Sequence, residues 1–117
     1  MNQSPHPAPN TAYDRDKLVE LFGDDPRTLA EVEREFLETA REAAREIKGT
    51  DDFTAIARAA HRLKGASGMI GALALRQIAE AVERAAKAED LSTVRRLRDL
   101  FDHEVRRVAE QAGVEVD

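Results

Sequence analysis

The residues best suited to chemistry lie in one stretch, Ala60-His61-Arg62-Leu63-Lys64-Gly65-Ala66-Ser67-Gly68-Met69-Ile70-Gly71. Its flank has helical periodicity, with Phe53, Ile56, Ala60 and Leu63 on one apolar stripe. His61 is one residue, about 100° of rotation, from Ala60, and so stands at the edge of that stripe where a ring reaches solvent. Lys64 and Gly65 follow at i+3 and i+4 and cover the same face one turn later. An imidazole, an ammonium and a patch of backbone without a side chain are thereby brought together.

That trio suits acceptance of a phosphoryl group. A neutral imidazole nitrogen is a competent nucleophile near neutral pH, since the ring's ordinary pKa is about 6.5. A lysine within one turn offsets the charge of the added phosphate and donates hydrogen bonds to its oxygens. Glycine inside a helix costs about 1 kcal/mol relative to alanine, so Gly65 calls for a reason, and close approach of another protein's backbone would be one. Each residue also has a plainer reading: a tolerated surface histidine, a solvated lysine, and glycines serving helix packing or chain reversal. His6 and His103 have no such surroundings. No histidine has a second ligand spaced as on a zinc-binding helix, so neither a metal nor another cofactor is expected.

The rest of the composition narrows the classes of function. With 117 residues the chain supports one domain with a single core. It has no cysteine, which removes disulfides, thiolate metal sites and cysteine nucleophiles. The formal charge is −5 and 35% of residues are charged, acidic and basic interleaved as on solvated helix faces. That balance, with no basic stripe, speaks against nucleic acid. Aromatic residues make up only 4% of the chain and Trp is absent, so stacking platforms are lacking. No apolar run approaches the roughly 20 residues that span a bilayer. Met1 to Thr11 contains no apolar core of a secretory signal, and a soluble cytoplasmic protein is expected. Arginine outnumbers lysine, a weak pointer to a GC-rich bacterial genome.

The elements that must position His61 are helices. Residues 1–12, with Pro5, Pro7 and Pro9, read as a flexible tail, residues 13–114 as the helical domain, and residues 115–117 as a short C-terminal tail. Beyond the tail the chain is dominated by Ala, Leu, Glu and Arg, and strand signals are missing. A short helix is predicted over about Asp14 to Phe22, stopped by Gly23. The second helix opens with Asp25 as N-cap and Pro26 at the first position, carries Leu29, Val32, Phe36, Ala40, Ala43 and Ile47, and ends before Gly49. The third follows Thr50 or Asp51 as cap; the glycine-bearing segment extends it a turn and then reverses the chain. The fourth places Leu75, Ile78, Ala79, Val82 and Ala86 on one stripe. Asp90 or Ser92 caps the fifth, with Val94, Leu97, Phe101, Val105 and Val108 in register. The expected fold is all-α: an up-and-down antiparallel four-helix bundle with an additional short N-terminal helix.

This arrangement points to a partner for His61. If the third and fourth helices reverse about a turn near Ala72, position 61 lies opposite position 83. Glu83 is one step off the apolar Val82, as His61 is one step off Ala60. A carboxylate there accepts one ring N–H and leaves the other nitrogen's lone pair facing outward, the logic by which a base is oriented in a catalytic triad. A slip of a few residues would put Glu80 or Val82 there instead, and Glu83 has an alternative partner in Lys87 at i+4.

As a whole, His-x-Leu-Lys-Gly, then Ala-Ser, then a glycine six residues after the first, resembles the signature of histidine-containing phosphotransfer (HPt) domains. It is matched by His61, Leu63, Lys64, Gly65, Ala66, Ser67 and Gly71, and the likeness covers roughly residues 13 to 112, including Leu21-Phe22-Gly23-Asp24-Asp25-Pro26. The resemblance implies that His61 is phosphorylated, that Lys64 supports the phosphoryl group and that Glu83, at the family's usual offset, orients the imidazole. It implies a monomeric phosphocarrier in a multistep phosphorelay of bacterial two-component type, without kinase activity or an ATP site. No Walker-type Gly-x-x-x-x-Gly-Lys-Ser/Thr loop is present. Catalytic Mg²⁺ and the acceptor aspartate would come from the partner, a receiver domain of a response regulator or of a hybrid histidine kinase. Leu18, Leu21 and Phe22 are candidate docking residues. The alternative function is an adaptor that binds a receiver or kinase through the bundle without accepting phosphate.

Overall fold

The computed structural model describes residues 11–113. Among these there are five helices and no strand: α1 (Arg15–Phe22), α2 (Pro26–Lys48), α3 (Phe53–Met69), α4 (Leu73–Lys87) and α5 (Leu91–Ala112). Aspartates start four of them by accepting a backbone N–H that the first turn leaves without a partner. Asp14 accepts from Lys17, Asp25 from Arg27, Asp52 from Thr54 and Asp90 from Thr93. The cap of α3 is therefore Asp52 rather than Thr50 or Asp51; Thr50 instead accepts the Asp52 N–H through its hydroxyl. For α5 the cap is Asp90, and the adjacent Thr93 groups hold its carboxyl below the usual range. Helix α4 has no side-chain cap. Its first turn is set by the chain reversal, where the Ala72 N–H reaches back to the Ser67 carbonyl at 2.8 Å.

The apolar stripes meet in one core. Ile56, Ala59, Ala60 and Leu63 of α3 face Leu75, Ala79, Val82 and Ala86 of α4, with α2 contributing Phe36, Leu37, Ala40 and Ile47 and α5 contributing Val94, Phe101 and Val108. Helix α3 packs against α2 and α4, and α5 against the same two. Each buried Leu, Ile or Phe contributes about 1.5–3 kcal/mol of transfer free energy. The many alanines let the helix backbones approach closely. Phe53, Val32, Ile78 and Leu97, read as core from their spacing, lie at its margin and are only partly buried.

The first helix is folded onto the α3–α4 turn. The Asp14 N–H donates to the Ile70 carbonyl at 3.0 Å, and Lys17 Nζ donates to the Gly68 carbonyl at 3.1 Å. Gly71 makes this contact possible. Its φ is +71°, and a Cβ there would fall 2.7 Å from the Asp14 Cβ. Leu18 is completely buried, so it is a core residue and not part of a docking surface as the sequence suggested.

The segment before α1 is also tied down. Gln111 on α5 accepts the Ala12 and Tyr13 N–H groups through its side-chain oxygen and donates to the Tyr13 carbonyl. The Tyr13 ring is buried, and its hydroxyl donates to Glu33 of α2, which Arg15 also contacts at 3.2 Å. Burial, reinforced by Glu33, raises the Tyr13 hydroxyl's pKa. Of the expected N-terminal tail only residues 11 and 12 are described, and Ala12 is buried and hydrogen-bonded. The rest of that tail and residues 115–117 lie outside the described residues. Among the described residues, no helix is long and apolar enough to cross a membrane.

Candidate functional site

Helix α3 runs unbroken through Gly65 and Gly68, so His61 and Lys64 share one rigid scaffold. Helix α4 returns beside it with a register centred on residue 72. Position 61 faces 83, and a Cβ on Gly68 would meet the Arg76 side chain at 3.4 Å. Glu83 is thus the residue opposite His61; Glu80 is exposed and Val82 is in the core.

Glu83 is the centre of the cluster. Its side chain is only 8% exposed, and three donors converge on it. His61 Nδ1 lies 2.9 Å from Oε2, Lys64 Nζ 2.8 Å from Oε1 and Lys87 Nζ 3.2 Å from Oε2. The Lys64 ammonium, helped by Lys87 and the ring N–H, holds the Glu83 carboxyl down at about 2 although burial pushes it up. An ionised carboxylate only accepts hydrogen bonds, so the proton of a neutral His61 belongs on Nδ1 and the lone pair on Nε2. The His61 side chain itself is 68% exposed.

The sequence placed Lys64 beside the ring. The structure directs its ammonium onto Glu83 and leaves the side chain mostly covered. Both partners that the spacing offered Glu83, His61 across the helices and Lys87 along its own helix, are engaged at once. Gly65 is exposed, and a Cβ built there would meet nothing within 4 Å, so no packing within this fold requires glycine. Ser67 points into the core, where its hydroxyl lacks a partner among the described residues. A groove of about 680 Å³ adjoins the ring between α3 and the end of α4, with Phe53, Ala57 and Ala86 in its wall and Arg58, Arg62 and Lys87 around His61. Arg62 is held by Glu46 of α2 at 2.7 Å. Around the α1 end, Val19, Leu21, Phe22, Met69 and Leu73 are exposed apolar side chains. His103 is exposed on α5, away from any cluster, and His6 lies outside the described residues. Among the described residues, no group of three or more His, Cys, Asp or Glu is placed to hold a metal ion.

The arrangement presents an exposed imidazole nitrogen on helix α3, with the ring's tautomer fixed from behind and cations nearby. The model of one protein family, the Hpt domain, matches residues 18–111, from the buried Leu18 almost to the end of α5. The chain belongs to the Hpt domain family. Hpt domains are helical-bundle phosphocarrier modules rather than kinases, and they take part in phosphorelays with receiver domains and histidine kinases. No curated protein and no solved structure matches this Hpt chain. The matched region contains all of His61, Lys64, Gly65 and Glu83. Sequence reasoning missed the clamp of Tyr13, Glu33 and Gln111 that closes this Hpt bundle. Its only signal was a tyrosine in a chain with few aromatic residues.

Proposed function

We propose that this chain is a phosphocarrier in which His61 Nε2 accepts a phosphoryl group from one receiver aspartate and passes it to another. The observation that carries this reading is the 2.9 Å contact of Nδ1 with a buried, ionised Glu83, which assigns the lone pair to the outer nitrogen. In the transfer, the Nε2 lone pair forms the N–P bond as the P–O bond to the aspartate breaks, and the aspartate leaves as a carboxylate. Such transfer is in line and loose, so positioning and charge do most of the work. The ring gains positive charge as Nε2 attacks. Glu83 stabilises that charge through the Nδ1 proton, which stays in place, so no separate base is needed. The reverse step runs through the same geometry. Lys64 supports the phosphoryl group's charge, and Gly65 leaves room for the receiver to come close to the ring.

In this reading the receiver supplies Mg²⁺ and the acceptor aspartate, and the chain itself has no ATP site or kinase activity. The partners are a response-regulator receiver and a hybrid histidine kinase. The scaffold is an up-and-down antiparallel four-helix bundle with α1 added at one end, acting as a monomer in a bacterial cytoplasm. The exposed Leu21 and Phe22 remain candidates for docking, joined by Val19, Met69 and Leu73 around the same end.

Incubation with a phosphorylated receiver tests the proposal. The wild-type chain should acquire an acid-labile, base-stable label, and His61→Gln should acquire none while keeping its helical circular dichroism. Label retained in His61→Gln, or none in the wild type with several receivers, would overturn the proposal, and partner binding and signalling that do not depend on His61 would favour the adaptor alternative.

A further inference from the structure

The two lysines on Glu83 are not equivalent. Lys64 sits on Oε1 at 2.8 Å and is 27% exposed; Lys87 sits on Oε2 at 3.2 Å and is 67% exposed. Oε2 is also the oxygen that receives the His61 proton. Lys64 therefore neutralises the oxygen the ring does not use, and Lys87 neutralises the one it does.

One ammonium is enough to compensate a buried carboxylate. The second leaves the cluster of one carboxylate and two ammonium groups with a net charge of +1 beside a neutral ring, and +2 once the ring is protonated. A carboxylate facing an imidazole favours the charged imidazolium, whose Nε2 has no lone pair to offer. An ammonium on the same oxygen opposes that charging. We infer that Lys87 is a positioning residue of the phosphotransfer site: by sharing Oε2 with His61 it keeps the ring neutral, with its proton on Nδ1 and its lone pair on Nε2. This inference rests on His61 being the phosphoryl acceptor. The other charged groups around the ring are Arg58, Arg62 and Lys64 of α3, with Glu46 of α2 on Arg62, and Glu83 and Glu89 from the α4 side. All of these stay in place when Lys87 alone is changed.

The test compares Lys87→Met and Lys87→Arg with the wild-type chain. Because Lys87 is two-thirds exposed, neither change disturbs the core. In ¹⁵N spectra of the unphosphorylated protein, the titration midpoint of the His61 ring should rise in Lys87→Met by about half a pH unit, about threefold in proton affinity. Lys87→Arg should restore the wild-type midpoint. Labelling from a phosphorylated receiver should fall in Lys87→Met by a larger factor near pH 6 than near pH 8. An unmoved midpoint, or an equal loss of labelling at both pH values, overturns the inference. If the midpoint moves but the wild-type chain is never labelled, Lys87 governs the ring and the phosphocarrier reading fails instead.

Discussion

Glu33 and Glu83 are both 6% exposed, each on a long helix with its carboxylate turned inward, and the bundle uses them in opposite ways. Glu33 meets a phenol, Tyr13, in a closed environment, with Arg15 beside it. The product of that contact is order: the N-terminal segment is pinned to α2, and through Gln111 to α5, before α1 begins. Glu83 meets three nitrogen donors at the surface, and the product there is a presented ring, 68% exposed and with its tautomer fixed. A buried carboxylate must be satisfied in either case. What separates structure from site is whether one of the satisfying groups is left facing solvent with a lone pair to use.

The comparison breaks most visibly at Glu83. Replacing it with Gln keeps the shape but removes the charge that Lys64 and Lys87 compensate. A carboxyl held at about 2 instead of the ordinary 4.5 contributes at most about 3 kcal/mol of stability, and less because solvent screens the exposed Lys87 and His61. Its folded pKa is depressed, so that contribution is fully present above the ordinary value and is lost as pH falls toward about 2. Urea unfolding at neutral pH should show Glu83→Gln less stable by up to about 3 kcal/mol, with the gap to wild type narrowing in acid. Labelling of His61 should drop by about 10- to 100-fold in Glu83→Ala, which removes the acceptor of the ring N–H altogether, and by less in Glu83→Gln, whose amide oxygen still accepts it.

Tyr13→Phe sharpens the other side. It leaves Glu33 with Arg15 alone, at an expected cost of about 1–3 kcal/mol for the lost buried partner. Below the unfolding transition, labelling should stay within about twofold of wild type, because His61, Glu83 and the lysines are untouched. A large loss of labelling in the folded variant would show that the clamp and the site are coupled.

Gly65→Ala should have the smallest energetic effect and the opposite sign. Nothing in the fold opposes a methyl group there, and alanine is the better helix former, so a gain of about 0.5–1 kcal/mol is expected in thermal or urea unfolding. Transfer from a receiver should slow at the same time if Gly65 serves the close approach proposed for the partner. A variant that is more stable and transfers at the wild-type rate would remove Gly65 from the site.

Much of the fold was legible because its signals are local. Asp25-Pro26, Gly23 and Gly49 bracket helices by backbone chemistry that needs no tertiary partner, and the i, i+3, i+4 spacing of Phe36, Ala40 and Ala43 marks a buried stripe. The facing of His61 and Glu83 was legible for a related reason. Two helices joined by a tight reversal leave little freedom of register, so symmetry about Ala72 finds the pair. Leu18 was misplaced as a docking residue because its apolar character alone does not say which side of α1 meets the bundle. That side is chosen by Gly71, which admits Asp14 to the α3–α4 turn.

By itself, then, the sequence determined the helices, the stripe that buries them, the position of His61 at its edge and the carboxylate across from it. These follow from backbone preferences and from the geometry of a short connection, both of which act over a few residues. Only the tertiary structure decided how the charges are shared: Lys64 on one oxygen of Glu83, Lys87 on the other, and the ring proton on the same oxygen as Lys87. It also decided that Tyr13 closes on Glu33 and Gln111, the latter 98 residues away along the chain. A long side chain can reach several partners, and which one it takes depends on where burial removes water and leaves a charge to be met. No local pattern carries that choice.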